Sequence, residues 1–425
     1  MQNKVPVVKN RIATPPVKNK EKTIYFWCIA GFFLLNCCNF LLRPLRDEIG
    51  ITIGMAQLQW LFTFTFITLF LFSILFTFLT RSLSLQVLLN GLYIIFIFAL
   101  LLFFLALNYL NNSSFTHWTF FVTMSVFNLF SISLYWSLMV QLLDKKRATE
   151  IFGQIAASGS IGAIAGSMLA GIVAHWLHAF YLLIIASVIL SLFLFFQCKI
   201  LHVLHYKNDN HESFSGDFSW RNLLHPIRNT LKSSFFGAIA LSNFIYAIIS
   251  TFLYYEQLTL VKNSANFYIQ EATFLAVIAA TVNIATLILQ IFFFKKWALN
   301  IKSNRLFILI PMFTLFTFLC LLLQPSILLL ILCFTVHKAG NYSIIKPLRE
   351  VLYISEESNL KFGTKNFVDT IFARGGDLTG SWWCSLMTQG ISLKFLLFSA
   401  IIPLGFLWIY SNRRMVKSAS NFISH

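Results

Sequence analysis

The chain returns again and again to stretches of about 20 mostly apolar residues, the length a helix needs to cross the hydrocarbon core of a bilayer. Cutting on that rule predicts spans at 23–42, 58–80, 84–107, 117–143, 151–174 and 178–201, and six more at 233–256, 271–294, 305–323, 327–354, 366–388 and 392–411. Within lipid every backbone N–H and C=O must be paired inside the protein, so runs of this length imply helices. Composition points the same way: 11% of residues are charged, against about 25% in soluble domains. A soluble enzyme or a nucleic-acid-binding protein is excluded as the first reading, although the formal charge is +17.

Where the basic residues fall sets the expected orientation. Lys4, Lys9, Arg11, Lys18, Lys20 and Lys22 precede the first span without a small-residue cleavage site, which predicts a retained basic arm. Arg81, Lys145–Arg147, the stretch with Lys207, Arg221, Arg228 and Lys232, then Lys295, Lys296, Lys302, Arg305, Lys361, Lys365, Arg413, Arg414 and Lys417 all fall on one side. The opposite loops 108–116, 175–178 and 324–326 hold no Lys or Arg. The positive-inside rule then puts both termini in the cytoplasm and the protein in the cytoplasmic (inner) membrane. Arg43 and Arg46, just past the first span, are discordant, which suggests that they have another role.

The two halves correspond. Gly162, Gly166 and Ser167 in the fifth span match Gly376, Gly380 and Ser381 in the eleventh, an offset of 376 − 162 = 214. The expected organisation is a basic arm at 1–22, six helices at 23–204, a cytoplasmic linker at 205–232, six helices at 233–412 and a tail at 413–425. This is an all-α integral membrane protein with the layout of major-facilitator transporters, which rock about a central site.

A Lys, Arg or Asp at mid-membrane costs roughly 2.5–3.5 kcal/mol on the insertion scale, so such residues face protein or a wet cavity. Here they concentrate in the first, tenth and eleventh spans, with Glu256 in the seventh. The first span ends Arg43-Pro44-Leu45-Arg46-Asp47-Glu48, and the tenth holds Lys346-Pro347-Leu348-Arg349-Glu350. Because one helix runs outward and the other inward, the two clusters are expected towards opposite ends of the path. Each proline frees a backbone carbonyl, of Phe40 and of Ser343, and a broken helix beside charge points to a binding or gating region. Lys338, Tyr342, Lys346 and Arg349 follow steps that share one α-helical face. The eleventh span adds Lys365, Asp369, Arg374 and Asp377. Two readings stay open: ion pairs that only close gates, and cations that contact an anionic solute.

The seven cysteines read as reduced, apolar thiols. The glycines of the fifth span read as close helix packing, and no Gly-Lys-Ser/Thr follows them, so a phosphate-cradling loop is not expected. With no paired-Asp motif, nucleophile elbow or HExxH, the chain is not expected to be an enzyme, and no cofactor or metal is implied.

Two stretches resemble the nucleotide transporter (ATP/ADP translocase) family of plastids and intracellular bacteria. Asn39-Phe40-Leu41-Leu42-Arg43-Pro44-Leu45-Arg46-Asp47 is similar to its first-helix N-Y-x-x-L-R-x-x-K-D. Lys338-Ala339-Gly340-Asn341-Tyr342-Ser343 with Lys346-Pro347-Leu348-Arg349-Glu350 is similar to K-A-x-x-Y-S-x-x-x-P-x-K-E, and Lys365-Asn366-Phe367-Val368-Asp369 to K-A-x-I-D. The resemblance implies that Arg46 and Arg349 stand where the family has lysines needed for nucleotide transport. Arginine keeps the charge and favours bidentate oxyanion contact. The fourth span holds no carboxylate, where the nucleotide carriers have a functional Glu, and the chain is shorter than those carriers.

The expectation is a secondary transporter, acting as a monomer in the bilayer, that moves a small anion by alternating access, nucleotides and phosphorylated solutes being the candidates. Its binding residues are expected among Arg43, Arg46, Lys338, Asn341, Tyr342, Lys346, Arg349 and Arg374. Asp47, Glu256, Glu350, Lys365, Asp369 and Asp377 are expected to gate or couple. The alternatives are a proton-coupled exporter of amphipathic compounds and an anionic-lipid flippase.

Overall fold

The first helix does not stop where its apolar run ends. α1 spans Val17–Ile53 and continues through Pro44, closing only at Gly54, whose φ of 101° lies in the left-handed region. In the computed structural model, residues 17–82, 85–109, 113–142, 145–208, 233–264, 271–297, 306–346, 371–387 and 393–423 are described. They contain no strand. After α1 come α2 (Leu58–Ser82), α3 (Leu85–Tyr109), α4 (Ser114–Leu142), α5 (Lys145–Trp176) and α6 (Tyr181–Asn208). The second set is α7 (Ser234–Ser264), α8 (Glu271–Trp297), α9 (Leu306–Leu323), α10 (Ile327–Phe334), α11 (Ala373–Met387) and α12 (Leu393–Ile423). Among the described residues, eight helices are long and apolar enough to cross a membrane. Large side chains such as Ile95, Phe98 and Leu102 of α3, Val188 of α6 and Phe316 of α9 are exposed on the outside of the bundle. The protein is a multi-pass membrane protein.

α1 is the hub of the first set, and its smallest neighbours explain why. A side chain at Gly162 or Gly166 of α5 would run into the backbone carbonyl of Phe33 or Cys37, so only glycine lets the two helices approach this closely. Tyr135 of α4 donates to the Cys28 carbonyl, and Ser158 of α5 donates to the Ile29 carbonyl at 3.0 Å. A proline in so enclosed a helix is tolerated because neighbours surround the gap it leaves. α7 has the same place in the second set. Gly376 and Gly380 of α11 lie against Phe244, Ile248 and Thr251 of α7, the counterpart of the α5–α1 contact.

The two sets meet along two seams. In one, Asn283 of α8 donates to Ser167 Oγ of α5 at 3.2 Å. In the other, the Trp382 indole of α11 donates to Thr63 of α2 at 3.0 Å and packs edge-on against Trp60. α10 departs from regular winding: after Phe334 the chain forms two π-helical segments, Thr335–Ala339 and Asn341–Ile345. At the other end of the chain α12 runs on to Ile423, past the expected end of the last span.

Candidate functional site

Because α1 extends to Ile53, Arg43, Arg46 and Asp47 lie inside the helix and not on a loop beyond it. This accounts for their discordance with the basic-residue pattern: they face the interior. Asp47 is 3% exposed. Its Oδ1 accepts from Arg46 Nε at 2.9 Å and from the Tyr254 hydroxyl of α7 at 3.1 Å. Arg43 Nε stands 3.9 Å from Oδ2. The Arg46 guanidinium also lies over the Phe121 ring of α4, 5.3 Å from its centroid. One carboxylate thus serves two guanidiniums and a phenol.

Beside this cluster is a narrow cleft of ≈ 10 Å³, lined by Asn39, Leu42, Arg43 and Arg46 from α1 and by Met124, Phe127 and Asn128 from α4. Both arginines therefore reach open space with donors to spare, since a guanidinium carries five N–H groups.

Lys338 comes from the π-helical part of α10. Its Nζ lies 4.0 Å above the Phe334 ring, and the charges acting on it are Arg43, Asp47, Arg46 and Asp377. Among the described residues it has no carboxylate within ion-pair distance. Lys338 belongs to neither of the two clusters expected towards opposite ends; of the second, Lys346 is described and residues 347–350 lie outside the described residues. Of the expected shared face, Lys338, Tyr342 and Lys346 are described and Arg349 is not. Tyr342 is 45% exposed while Asn341 is buried against Tyr246. Lys346 is exposed and lies 5.7 Å from the Tyr342 ring centroid.

On α11, Arg374 Nη1 binds Asp377 Oδ2 at 2.8 Å, and Thr251 of α7 holds the other oxygen at 3.2 Å. Among the described residues, Arg374 Nε is buried without a partner. Arg46 also acts on Asp377, which links the two acid-centred groups. The assembled cluster is four cations (Arg43, Arg46, Lys338, Arg374) against two carboxylates (Asp47, Asp377). Glu256 of α7 is within electrostatic reach of Cys384 of α11. Arg349, Glu350, Lys365 and Asp369 lie outside the described residues.

Several participants were not among the residues singled out from the sequence: Tyr254, Thr251, Asn39 and Asn128. Asn39 had a signal, standing one helical turn before Arg43; the others had none, since nothing local distinguishes them from packing residues. A second buried polar group joins α7, α10 and α12. The His337 ring stacks on Tyr246 at 4.4 Å, and its Nε2 is 2.7 Å from Ser250 Oγ. Among the described residues, no group of three or more His, Cys, Asp or Glu could hold a metal ion.

Neither a protein-family model nor a curated protein matches the sequence. Solved structures do match the fold. A bacterial homologue of the iron transporter ferroportin, in an inward-facing state, aligns with TM-score 0.63 at 12% identity, over 92% of this chain and 99% of that one. The nucleoside transporter NupG aligns with TM-score 0.61 at 14% identity, over 94% and 98%. The human organic anion transporter MFSD10 aligns with TM-score 0.60 at 14% identity, over 94% and 100%. At such identities the likeness is one of fold, and the fold is that of major-facilitator-type transporters.

Proposed function

We propose that the protein is a twelve-span secondary transporter that carries a small anionic solute by alternating access. The observation that carries this reading is the excess of cations gathered inside the bundle, two of them at one cleft. Four basic side chains meet two carboxylates inside an otherwise apolar bundle, and Arg43 and Arg46 both line open space. An unpaired charge in such a place costs several kcal/mol, and an anion entering the cleft offsets that cost. Arg43, Arg46 and Lys338 are proposed to bind the solute, with Arg374, Asn341, Tyr342, Lys346 and Arg349 along its path. Asp47 with Tyr254, and Asp377 with Arg374, are proposed to open and close as the helices rock. Glu256, Glu350, Lys365 and Asp369 are assigned to gating on sequence grounds.

The pattern of basic loops supports both termini in the cytoplasm and insertion in the inner membrane, which makes the α2–α11 seam at Trp382 and Thr63 part of the outer gate. The motif resemblance supports a place beside the ATP/ADP translocases, and with it a phosphorylated or nucleotide-like solute, carried by a monomer. Uptake of a labelled anion panel by the protein reconstituted in liposomes tests the reading. Saturable uptake or counterflow of at least one anion is expected, abolished in Arg46→Gln. Proton-linked efflux of cationic amphiphiles, or headgroup movement with no soluble anion carried, overturns it.

A further inference from the structure

Asn39 lies one turn before Arg43 and lines the same cleft, yet it is only 2% exposed. Its Nδ2 donates to the Leu35 carbonyl at 3.0 Å and to Ser131 Oγ of α4 at 3.3 Å. The Leu35 carbonyl can only accept, so the amide nitrogen belongs on that side and the flipped amide is excluded. Oδ1 is then left buried without a hydrogen-bond partner among the described residues. Among the described residues, buried side-chain atoms without partners also occur on Gln59, Thr65, Thr273, Thr314, His337 and Arg374. None of those six lines this cleft.

The side chain is held from behind. Ser131, which accepts from Asn39, is in reach of the Asn128 carbonyl at 3.3 Å, and the Tyr93 hydroxyl of α3 donates to the Ser131 carbonyl at 3.2 Å. A buried acceptor fixed in place and lacking a donor is disfavoured unless something supplies one. The cleft is thus bordered by the Asn39 side chain with its buried acceptor, two guanidiniums, the Asn128 carboxamide, and an apolar wall of Met124 and Phe127. A helix rises about 1.5 Å per residue, which puts Asn39 about 6 Å along α1 from Arg43 and about 10 Å from Arg46. The free room inside the cleft, ≈ 10 Å³, is about that of one water, so a solute there needs the lining helices to part around it.

We propose that Asn39 Oδ1 is a specificity subsite, accepting a hydrogen bond from an O–H or N–H about 6 Å from the solute's anionic group. The protein then selects hydroxylated or amino-bearing anions over equally sized anions that lack a donor. This rests on the anion reading above, with Arg43 and Arg46 taking the charge.

Glycerol phosphate and n-propyl phosphate, alike in charge and chain length, provide the test. Binding of each to the purified full-length protein is measured by calorimetry. Glycerol phosphate is expected to bind about tenfold tighter or more, and Asn39→Leu is expected to bring the two esters within about twofold. Equal affinities in the native protein, with Arg46→Gln abolishing both, overturn the subsite while the anion reading stands; that is also the result if a resident water satisfies Oδ1. Binding of neither ester overturns the subsite, and the uptake panel then shows whether the anion reading falls with it. Should Asn39→Leu fail to fold, the native comparison alone decides.

Discussion

Tyr254 on α7 donates its hydroxyl proton to Asp47 on α1 across 3.1 Å. That single bond joins the second set of helices to the charged centre of the first. It is buried, and the Phe62 ring of α2 packs edge-on against Tyr254 at 5.9 Å. A hydrogen bond to a charged group contributes about 1.5–3 kcal/mol. Tyr254→Phe is therefore expected to shift the balance between joined and parted helices by about 10- to 100-fold. The check is the rate at which a water-soluble maleimide labels a Leu58→Cys variant, since Leu58 is fully buried here. Most native cysteines are buried, so the background is low. An unchanged rate in Tyr254→Phe removes this bond from the gate.

Asp47 is shared, so its loss strands two guanidiniums. Breaking a buried ion pair by removing one partner costs about 3–5 kcal/mol, largely from the charge left behind. Asp47→Asn is expected to lower thermal stability by that order. Arg46→Gln combined with Asp47→Asn is expected to recover part of it without restoring anion uptake. Additive losses in the double variant contradict the pairing.

Lys338 has no such partner among the described residues, and the opposite result is expected there. Lys338→Met keeps the stem over Phe334 and removes a cation that Arg43 and Arg46 repel. The melting temperature should hold or rise, while anion uptake falls about tenfold or more, a loss of about 1.4 kcal/mol of binding. Arg374→Met, which removes the ion pair of Asp377, should instead destabilise by about 1–3 kcal/mol. Melting curves and uptake of the two variants side by side separate substrate cation from structural cation.

Glycine spacing offers a test of packing without charge. Gly166→Ala places a methyl against the Cys37 carbonyl, and overpacking of this kind costs about 1–3 kcal/mol. Gly153→Ala on the same helix meets nothing within 4 Å and should stabilise slightly, by up to about 1 kcal/mol. Thermal unfolding of both in detergent reads the difference directly.

The glycine pairs show what was legible in one dimension. The repeat of Gly162 and Gly166 at Gly376 and Gly380 needs only counting, and both pairs do bring a helix against the hub of their own set. The reach of α1 was harder to read. Its apolar run ends near Leu42, and Pro44 lacks an N–H, so periodicity stops the span there. Enclosure of that end by Phe121 of α4, Tyr254 of α7 and Leu58 of α2 overrides that local signal, and the helix runs to Ile53. The π segments of α10 were not legible either, because a widened turn depends on neighbouring helices and has no residue code of its own.

The sequence by itself determined an all-helical membrane chain whose scarce charges are gathered on a few helices, because lipid admits neither unpaired backbone nor stray charge. It also named Arg43, Arg46 and Asp47 as out of place. Only the tertiary structure decided who meets whom: Asp47 with Tyr254, Asp377 with Thr251, Lys338 with the α1 cations, and Asn39 Nδ2 with Ser131. Those pairings depend on distances between helices far apart in the chain, and helical periodicity records only which face a residue is on, never what stands opposite.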